Sequence, residues 1–366
     1  MLYRKLRIAN AATATIGVTI LIFIFILSTQ GCSNISYYAQ SVAGGYEVLA
    51  NREPITEVLQ DPDVAPSLKE KLRVVLQIRD FASRELDLPD NDSYRTYVDL
   101  KRPYAVWNVF AAPEFSMQLK EWCFLFVGCV RYRGYFDEQD AQQYANGLRD
   151  RGFDVYVPGI AAYSTIGWFD DPMMNTIISR DEIRLAGLIF HELSHQVVFI
   201  KGDTAFNEGF AVTVELEGVK RWLDDKGSPQ LLAKYQQRKA RHKQFVALVN
   251  KTRDRLEQLY ATDAAPDEMR QQKKQIIEDM QREYQQLKIS WDGFAGYDRW
   301  FSKPINNAQI AAVTTYRDYV PAFQQLLAEH DHDMAAFYQA VKQLGELSAE
   351  QRKQTIQKLL PASGVS

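Results

Sequence analysis

The spacing of apolar and polar positions predicts a mixture of helices and strands in the first half of the chain. Residues 36–51 and 66–87 carry apolar side chains every three or four positions, as amphipathic helices do. Three stretches rich in aromatic and β-branched residues are typical of strands: RTYVDL, AVWNVF and FVGCVRYRGYF. A helix over 137–151 and two short strands within 153–168 follow. The fold class is therefore expected to be α+β, with a small mixed or antiparallel sheet.

A further helix is predicted over residues 180–200, because the run IRLAGLIFHELSHQVVFI contains no proline. Ser179 and Glu182 have the spacing of a capping box at its start. Gly202 follows the run and favours a left-handed C-cap. The sequence thus predicts where this helix begins and where it ends.

The next stretch, DTAFNEGFAVTVELEG, predicts a second helix. Asp203 or Thr204 would cap its start, and Gly218 would end it. The turn between the two helices would be only about three residues long. A turn of that length makes the two helices pack antiparallel to one another.

Two histidines on the first of these helices have the spacing of metal ligands. His191 and His195 are four positions apart, so their side chains lie on one face of the helix. Glu192 is offset around the helix from both, where it can reach a water molecule on the ion and act as a general base. The same pattern arises by chance in amphipathic helices, so a third ligand is needed to make it informative.

Glu208 on the second helix is the predicted third ligand. It and His195 would each lie about 7 Å from the turn at 1.5 Å per residue, which places them opposite each other. Two histidines and one glutamate with an open fourth position form the catalytic zinc arrangement, so Zn2+ is the expected cofactor. Glu215 lies on the same face as Glu208 and is the candidate partner for the second ring nitrogen of His191. A solvated helix acid is the alternative for Glu215.

Several segments resemble a bacterial family of predicted zinc aminopeptidases. The segments are HELSHQ, DTAFNEGFAVTVE, YRTYVDL, WNVFAAPEFS, WCFLFVGCVRYRGYFD, AYSTIGWFDDP and NNAQIAAVTTYRDYVPAF. The resemblance covers most of the chain from Cys32 to about residue 345. It implies a zincin-like metallopeptidase fold and an aminopeptidase activity on peptide substrates.

The expected reaction is zinc-dependent peptide hydrolysis with Glu192 as the base. Removal of N-terminal residues, as opposed to internal cleavage, rests on the resemblance alone. The alternatives are an endopeptidase that acts on envelope proteins and a membrane-tethered scaffold that binds peptides without cutting them. A scaffold has no need of a general base, so the presence of Glu192 beside all three ligands favours an enzyme.

The segment AYSTIGWFDDP lies shortly before the first metal-binding helix. In zinc peptidases with such a helix, an edge strand binds the extended backbone of the substrate. Tyr163, Ser164 and Thr165 are predicted to begin such a strand over 163–167. An ordinary edge strand that ends in a glycine turn is the alternative.

The block SKPINNAQIAAVTTYRDYVPAF is too polar at its start to be simple core. Asn307 is predicted to hold substrate backbone, and Tyr316 to donate a hydrogen bond to the oxyanion. Tyr163 and Tyr135 are rivals for that donor, and a half-buried aromatic residue is the alternative for Tyr316. The acids considered for binding the substrate's α-ammonium group are Glu114, Asp170 and Asp171.

Long, charged and weakly amphipathic runs between about 228 and 292 predict an antiparallel helical hairpin. This hairpin separates the part of the chain before it from the part after it. The proposed divisions are a signal segment over 1–31, a catalytic domain over 32–227, the hairpin over 228–295 and a helical segment over 296–366. The last segment is expected to pack back onto the catalytic domain.

Composition agrees with a globular protein that does not bind nucleic acid. The 366 residues are 46% hydrophobic and 24% charged, with a formal net charge of −3. A nucleic-acid-binding domain would carry a basic excess.

The N-terminus has the features of a secretory signal. Arg4, Lys5 and Arg7 precede an apolar run over 16–27, which is short for a membrane span. Cys32 follows a small residue, where a lipoprotein would be processed and lipidated. An uncleaved signal anchor is the alternative. Either alternative tethers the protein to a membrane of the cell envelope, facing the periplasm. Ser33 follows Cys32 and is not Asp, which would favour the outer membrane in a Gram-negative cell.

Two cysteines remain for a disulfide if Cys32 carries lipid. Cys123 and Cys129 are separated by five residues and would face a compartment that permits disulfides. The alternative is a pair of small buried residues in apolar strands.

Overall fold

The computed structural model describes residues 36–124, 128–162, 164–165, 169–313 and 319–360. The segment 1–31 and the predicted site residues Cys32, Tyr163 and Tyr316 lie outside these ranges. Contacts divide the chain into two units, Met1–Ala50 and Asn51–Ser366. Helix α1 (36–50) belongs to the first. Within the described ranges, no helix has both the length and the apolar composition needed to cross a membrane.

The second unit is mostly helical. Its helices are α2 (Ile55–Val58), α3 (Pro66–Leu86), α4 (Glu138–Arg149), α5 (Asn175–Ile178), α6 (Glu182–Val197), α7 (Thr204–Asp225), α8 (Pro229–Tyr260), α9 (Pro266–Ser290), α10 (Asp298–Phe301), α11 (Asn307–Val313), α12 (Val320–Glu329), α13 (Met334–Glu346) and α14 (Ala349–Leu359). The helices predicted over 36–51, 66–87 and 137–151 are confirmed as α1, α3 and α4. The α+β fold class is likewise confirmed.

Among the described residues, the strands are short and form three small sheets. They are β1 (Glu53–Pro54), β2 (Thr96–Val98), β3 (Val106–Pro113), β4 (Trp122–Phe124), β5 (Gly128–Val130), β6 (Arg133–Tyr135), β7 (Phe153–Tyr156), β8 (Gly159–Ile160) and β9 (Met173–Met174). Strand β3 pairs antiparallel with β6, β7 and β8. Strand β2 pairs antiparallel with β1 and parallel with β9. The predicted mixed and antiparallel pairing is therefore present, spread over separate sheets.

Helices α8 and α9 form an antiparallel pair where the sequence predicts a hairpin. Salt bridges join Lys251 to Glu283 and Arg255 to Asp279, so the residue numbers run in opposite directions along the two helices. The apolar face of the pair packs against α11 and the residues that follow β3. All of Asn51–Ser366 is one compact unit, so the divisions proposed at 227 and 295 fall inside a single body.

Candidate metal centre

The start of α6 differs from the sequence prediction. The N-cap is Asp181, whose carboxylate accepts a hydrogen bond from the Arg184 N–H. The predicted capping box is wrong, because Ser179 instead ends the short helix α5. The Glu182 carboxylate accepts a hydrogen bond from the Trp222 indole at 3.0 Å, so it faces α7 rather than the cap.

Helix α6 also ends earlier than predicted. Val198 has extended backbone angles, so the helix stops at Val197 and Gly202 serves only the turn, where its φ is +81°. The side chain of Asn207 accepts a hydrogen bond from the Ile200 N–H and donates one to the Ile200 carbonyl, both at 2.8 Å. A buried side chain from the next helix therefore supplies the partners that a longer helix would have supplied.

Helix α7 begins at the predicted cap and runs beyond its predicted end. The Asp203 carboxylate accepts a hydrogen bond from the Phe206 N–H, as expected for an N-cap. Gly218 does not end the helix, which continues to Asp225. A Cβ atom at Gly218 would lie 2.6 Å from the Phe190 ring and 2.7 Å from Leu86. This glycine therefore allows α7 to approach α6 and α3 closely.

The antiparallel packing of α6 and α7 brings His191, His195 and Glu208 together. One ligand atom from each side chain lies within 4.8 Å of the others. The Nε2 atoms of His191 and His195 lie 3.4 and 3.6 Å from the two carboxylate oxygens of Glu208. A tetrahedral zinc ion about 2.1 Å from each donor would separate the donors by roughly 3.4 Å. The donor types and their spacing therefore fit zinc.

The second ring nitrogen of His191 faces another carboxylate. His191 Nδ1 lies 3.6 Å from Glu215 Oε2, and Lys239 of α8 donates to Glu215 Oε1 at 3.1 Å. Gly187 is one helical turn before His191, and a Cβ atom there would lie 3.3 Å from Glu215. Sequence reasoning missed both Lys239 and Gly187. A glycine inside the helix, four positions before His191, was the available signal for a close approach.

Charges and burial move the pKa values of the two histidines in opposite directions. Burial lowers the pKa of His191, but the carboxylates of Glu208 and Glu215 outweigh it and raise that pKa to about 10. Burial and the neighbouring His191 lower the pKa of His195 to about 4. Burial opposes ionisation of Glu215, yet His191 and Lys239 bring its pKa down to about 2. Glu215 is therefore an anion that pairs with His191 and with Lys239.

Glu192 lies on α6 between the two histidines in sequence and faces different neighbours. Burial raises the pKa of its carboxyl group. Ser164 forms a hydrogen bond with Glu192 and also donates to Asp171 Oδ2 at 2.9 Å. The structure thus brings Ser164 to the side of Glu192, although the two residues are far apart in sequence.

Ser164 and Thr165 are not part of a strand, contrary to the prediction. The Thr165 N–H donates to both carboxylate oxygens of Asp171, at 3.1 and 3.0 Å. A side chain thus takes the hydrogen bond that a neighbouring strand would have provided. The described strand that precedes this segment is β8, which ends at Ile160. Asp171 is 1% exposed and engaged with this segment, so it is not free to bind an ammonium group.

Asn307 does not hold substrate backbone, so that prediction is wrong. The residue is fully buried, and its amide donates to the carbonyls of Pro113, Glu114 and Ser116. Its carbonyl oxygen accepts a hydrogen bond from the Tyr260 hydroxyl at 2.8 Å. The amide therefore anchors the turn after β3, and the carbonyl oxygen joins Asn307 to the end of α8.

Four further predicted residues also pair or pack with other parts of the protein. The Glu114 carboxylate pairs with Arg270 at 2.7 Å, away from any role with an ammonium group. Tyr135 lies in β6 and packs against the Tyr144 ring, with a centroid distance of 5.8 Å. Cys123 and Cys129 are paired across β4 and β5 and form a disulfide.

Two antiparallel helices that present two imidazoles and a carboxylate to one point define an α+β protein with a candidate metal centre. Its donor set is the one used by catalytic zinc sites. A family model described as "Putative aminopeptidase" matches residues 36–356, and the chain belongs to that family. The resemblance noted from the sequence is confirmed to that extent. Comparisons with curated proteins and with solved structures give no match.

Proposed function

We propose that the protein is a zinc-dependent peptidase and, within that class, an aminopeptidase. The observation that carries the proposal is the convergence of His191, His195 and Glu208, with the buried carboxyl group of Glu192 on the adjoining helix face. The family suggests an aminopeptidase, and the donor set supports zinc as the metal.

The protein's own side chains divide the chemistry between them. Zinc, when bound by His191, His195 and Glu208, would polarise the scissile carbonyl and acidify a water molecule. Glu215 accepts the remaining N–H of His191 and holds that ring in one tautomer and orientation. Glu192 takes the proton of the attacking water and passes it to the leaving amine. The raised pKa of Glu192 suits the second transfer. The protonated carboxyl group is a weaker acid, so it keeps its proton until the leaving amine accepts it.

An aminopeptidase also needs an anion for the α-ammonium group of the substrate. Of the three acids suggested by the sequence, Glu114 pairs with Arg270 and Asp171 is buried against Thr165. The Asp170 carboxylate is half-buried and forms no hydrogen bond or ion pair with the described residues. Asp170 is therefore the proposed α-ammonium site. Replacement of Asp170 by Asn should raise KM for peptides with a free N-terminus, because their α-ammonium group loses its anionic partner.

We place the protein at the cell envelope, facing the periplasm. The basic and apolar segment over 1–31 acts as the signal, and Cys32 takes lipid or the segment remains as an anchor. The disulfide between Cys123 and Cys129 agrees with an oxidising compartment. Peptides are the substrates, and Tyr316 remains a predicted donor to the oxyanion.

The test compares the full chain with its Glu192→Gln variant in detergent. Zinc content is measured by elemental analysis, and cleavage is followed on peptides with free and with acetylated N-termini. Glu182→Gln is the matched control, because that glutamate lies on the same helix but contacts Trp222. We expect about one zinc per chain in all three proteins. The parent and the control should remove N-terminal residues, and Glu192→Gln should not.

Other results would point elsewhere. Cleavage of acetylated peptides at internal bonds would make the protein an endopeptidase. Zinc binding without any cleavage would favour the peptide-binding scaffold. Absence of zinc from every variant would refute the metal centre itself.

A further inference from the structure

The loop that follows α3 is fixed by hydrogen bonds from a buried arginine. Arg79 is fully buried, and its guanidinium donates to the carbonyls of Ser93 at 2.9 Å and Asn91 at 3.0 Å and also to that of Pro89. A planar guanidinium offers several donors in fixed directions, so it fixes several carbonyls at once. One buried side chain therefore holds three backbone carbonyls of the loop over residues 89–95.

The same loop is fixed to the metal-binding helix α6 from the side. The Asn91 amide donates to Gln196 Oε1 at 2.7 Å, and the Gln196 amide donates to Ser93 Oγ at 3.2 Å. Gln196 is four positions after Glu192, so the two side chains lie on one face of α6. The loop therefore lies against the face of α6 that carries the general base.

Tyr94 has a backbone conformation that tyrosine rarely adopts. Its φ is +63°, in the left-handed region, and its N–H donates to the Asp171 carbonyl at 2.7 Å. A bulky residue in this region is strained and persists only where the surroundings enforce it. Arg79 and Gln196 hold the loop through their hydrogen bonds and so enforce this conformation. The strain is thus maintained at the residue next to Ser93, beside the candidate site.

The ring of Tyr94 is buried, but its hydroxyl group is not sealed from solvent. The residue is 3% exposed, and its hydroxyl group makes no hydrogen bond to any described residue. Burial, followed by the charges of Glu192 and Asp171, raises the pKa of Tyr94 well above its usual value. The phenol therefore keeps its proton at neutral pH. Because this hydroxyl has no partner among the described residues and is not fully buried, it is available as a donor to a bound molecule.

We infer that Tyr94 is a catalytic residue whose hydroxyl donates a hydrogen bond to the carbonyl oxygen of the peptide bond being hydrolysed. The inference rests on the proposed peptidase function. A donor held in place before the reaction stabilises the charge that develops on that oxygen without reorganising. Tyr94 would act together with, or in place of, the predicted donor Tyr316.

The experiment compares Tyr94→Phe with the parent in the full-length zinc-loaded protein. Tyr97→Phe is the matched control, because Tyr97 is a half-buried tyrosine in β2, and burial and Asp99 raise its pKa to about 12. The measurements are kcat, KM, the inhibition constant of a phosphinic peptide, zinc content and the thermal midpoint. The phosphinic group imitates the tetrahedral intermediate, so it reports on the oxyanion contact apart from turnover.

For Tyr94→Phe we expect kcat to fall about 100-fold and the affinity for the phosphinic peptide to fall in parallel. KM, zinc content and thermal midpoint should stay close to those of the parent, and Tyr97→Phe should match the parent throughout. An active parent with an unchanged kcat in Tyr94→Phe would overturn the inference and leave the peptidase function standing. So would a loss confined to KM or to the thermal midpoint. A zinc-bound parent that cuts no peptide would overturn both.

Discussion

His191 Nδ1 lies 3.6 Å from Glu215 Oε2, and Lys239 holds the other oxygen of that carboxylate at 3.1 Å. One ring nitrogen of His191 therefore faces Glu208, while the other faces Glu215. A histidine held between two carboxylates has a fixed ring orientation, which is what a metal ligand requires. The relationship joins three helices, because Lys239 belongs to α8.

Replacement of Glu215 by Gln should weaken zinc binding about 10- to 100-fold, because the ring of His191 loses its charged acceptor. The measurement is a competition for zinc against a chromophoric chelator. Glu217→Gln is the control, since that carboxylate lies two positions away and contacts Arg221 and His332. Equal zinc affinity in the parent and in Glu215→Gln would remove Glu215 from the metal centre.

Replacement of Gly218 by Ala should destabilise the protein by about 1–3 kcal/mol, because the added methyl group collides with Phe190 and Leu86. Zinc affinity should fall as well, since the collision separates α7 from α6. The control is Gly147→Ala on α4, where the methyl group meets nothing within 4 Å and should stabilise the helix slightly. Chemical denaturation of both variants provides the comparison. A stable Gly218→Ala protein would mean that the two helices do not pack this closely.

Replacement of Asn307 by Ala should lower stability by about 1–3 kcal/mol, because the carbonyls after β3 lose their shared donor. The folded fraction should keep the KM of the parent, since Asn307 touches no substrate. Denaturation curves and kinetics on the same preparation measure both quantities. A raised KM with unchanged stability would instead restore the substrate-binding role that the sequence suggested.

Replacement of both Cys123 and Cys129 by Ser should lower the free energy of unfolding by about 2 kcal/mol, the amount expected for a short closed loop. Zinc content should not change, because neither cysteine contributes a ligand atom to the cluster. Treatment of the parent with a reductant should reproduce the loss. If the reduced parent and the double variant unfolded at the parent's denaturant midpoint, the disulfide would carry no stability.

The proximity of the three side chains in the candidate metal centre follows from spacing along the sequence. The four-residue spacing of His191 and His195 fixes their common helix face, and the short turn places Glu208 opposite them. The structure brings these three side chains together as that arithmetic anticipated. The arithmetic could anticipate this proximity because every step in it involved residues fewer than 20 positions apart.

The ends of the helices were predicted less well, since several residues can serve as a cap or a stop. Asp181 competes with Ser179 for the start of α6, and local sequence does not rank them. Gly218 has the composition of a stop signal, but close packing against Phe190 is the reason for its small size. A glycine that ends a helix and a glycine that permits a helix crossing look the same in sequence.

The sequence alone determined the α+β class, the order of the main helices and the donor set, because these depend on spacing within single elements and short turns. The tertiary structure decided the rest. Asn307 bonds to carbonyls about 190 positions earlier, and Ser164 lies beside Glu192 through contacts that no periodicity encodes. Tyr94 depends on Arg79 and on Gln196 for its conformation. Hydrogen-bond partners from distant parts of the chain meet only after the helices have packed, so their roles are visible only in the folded protein.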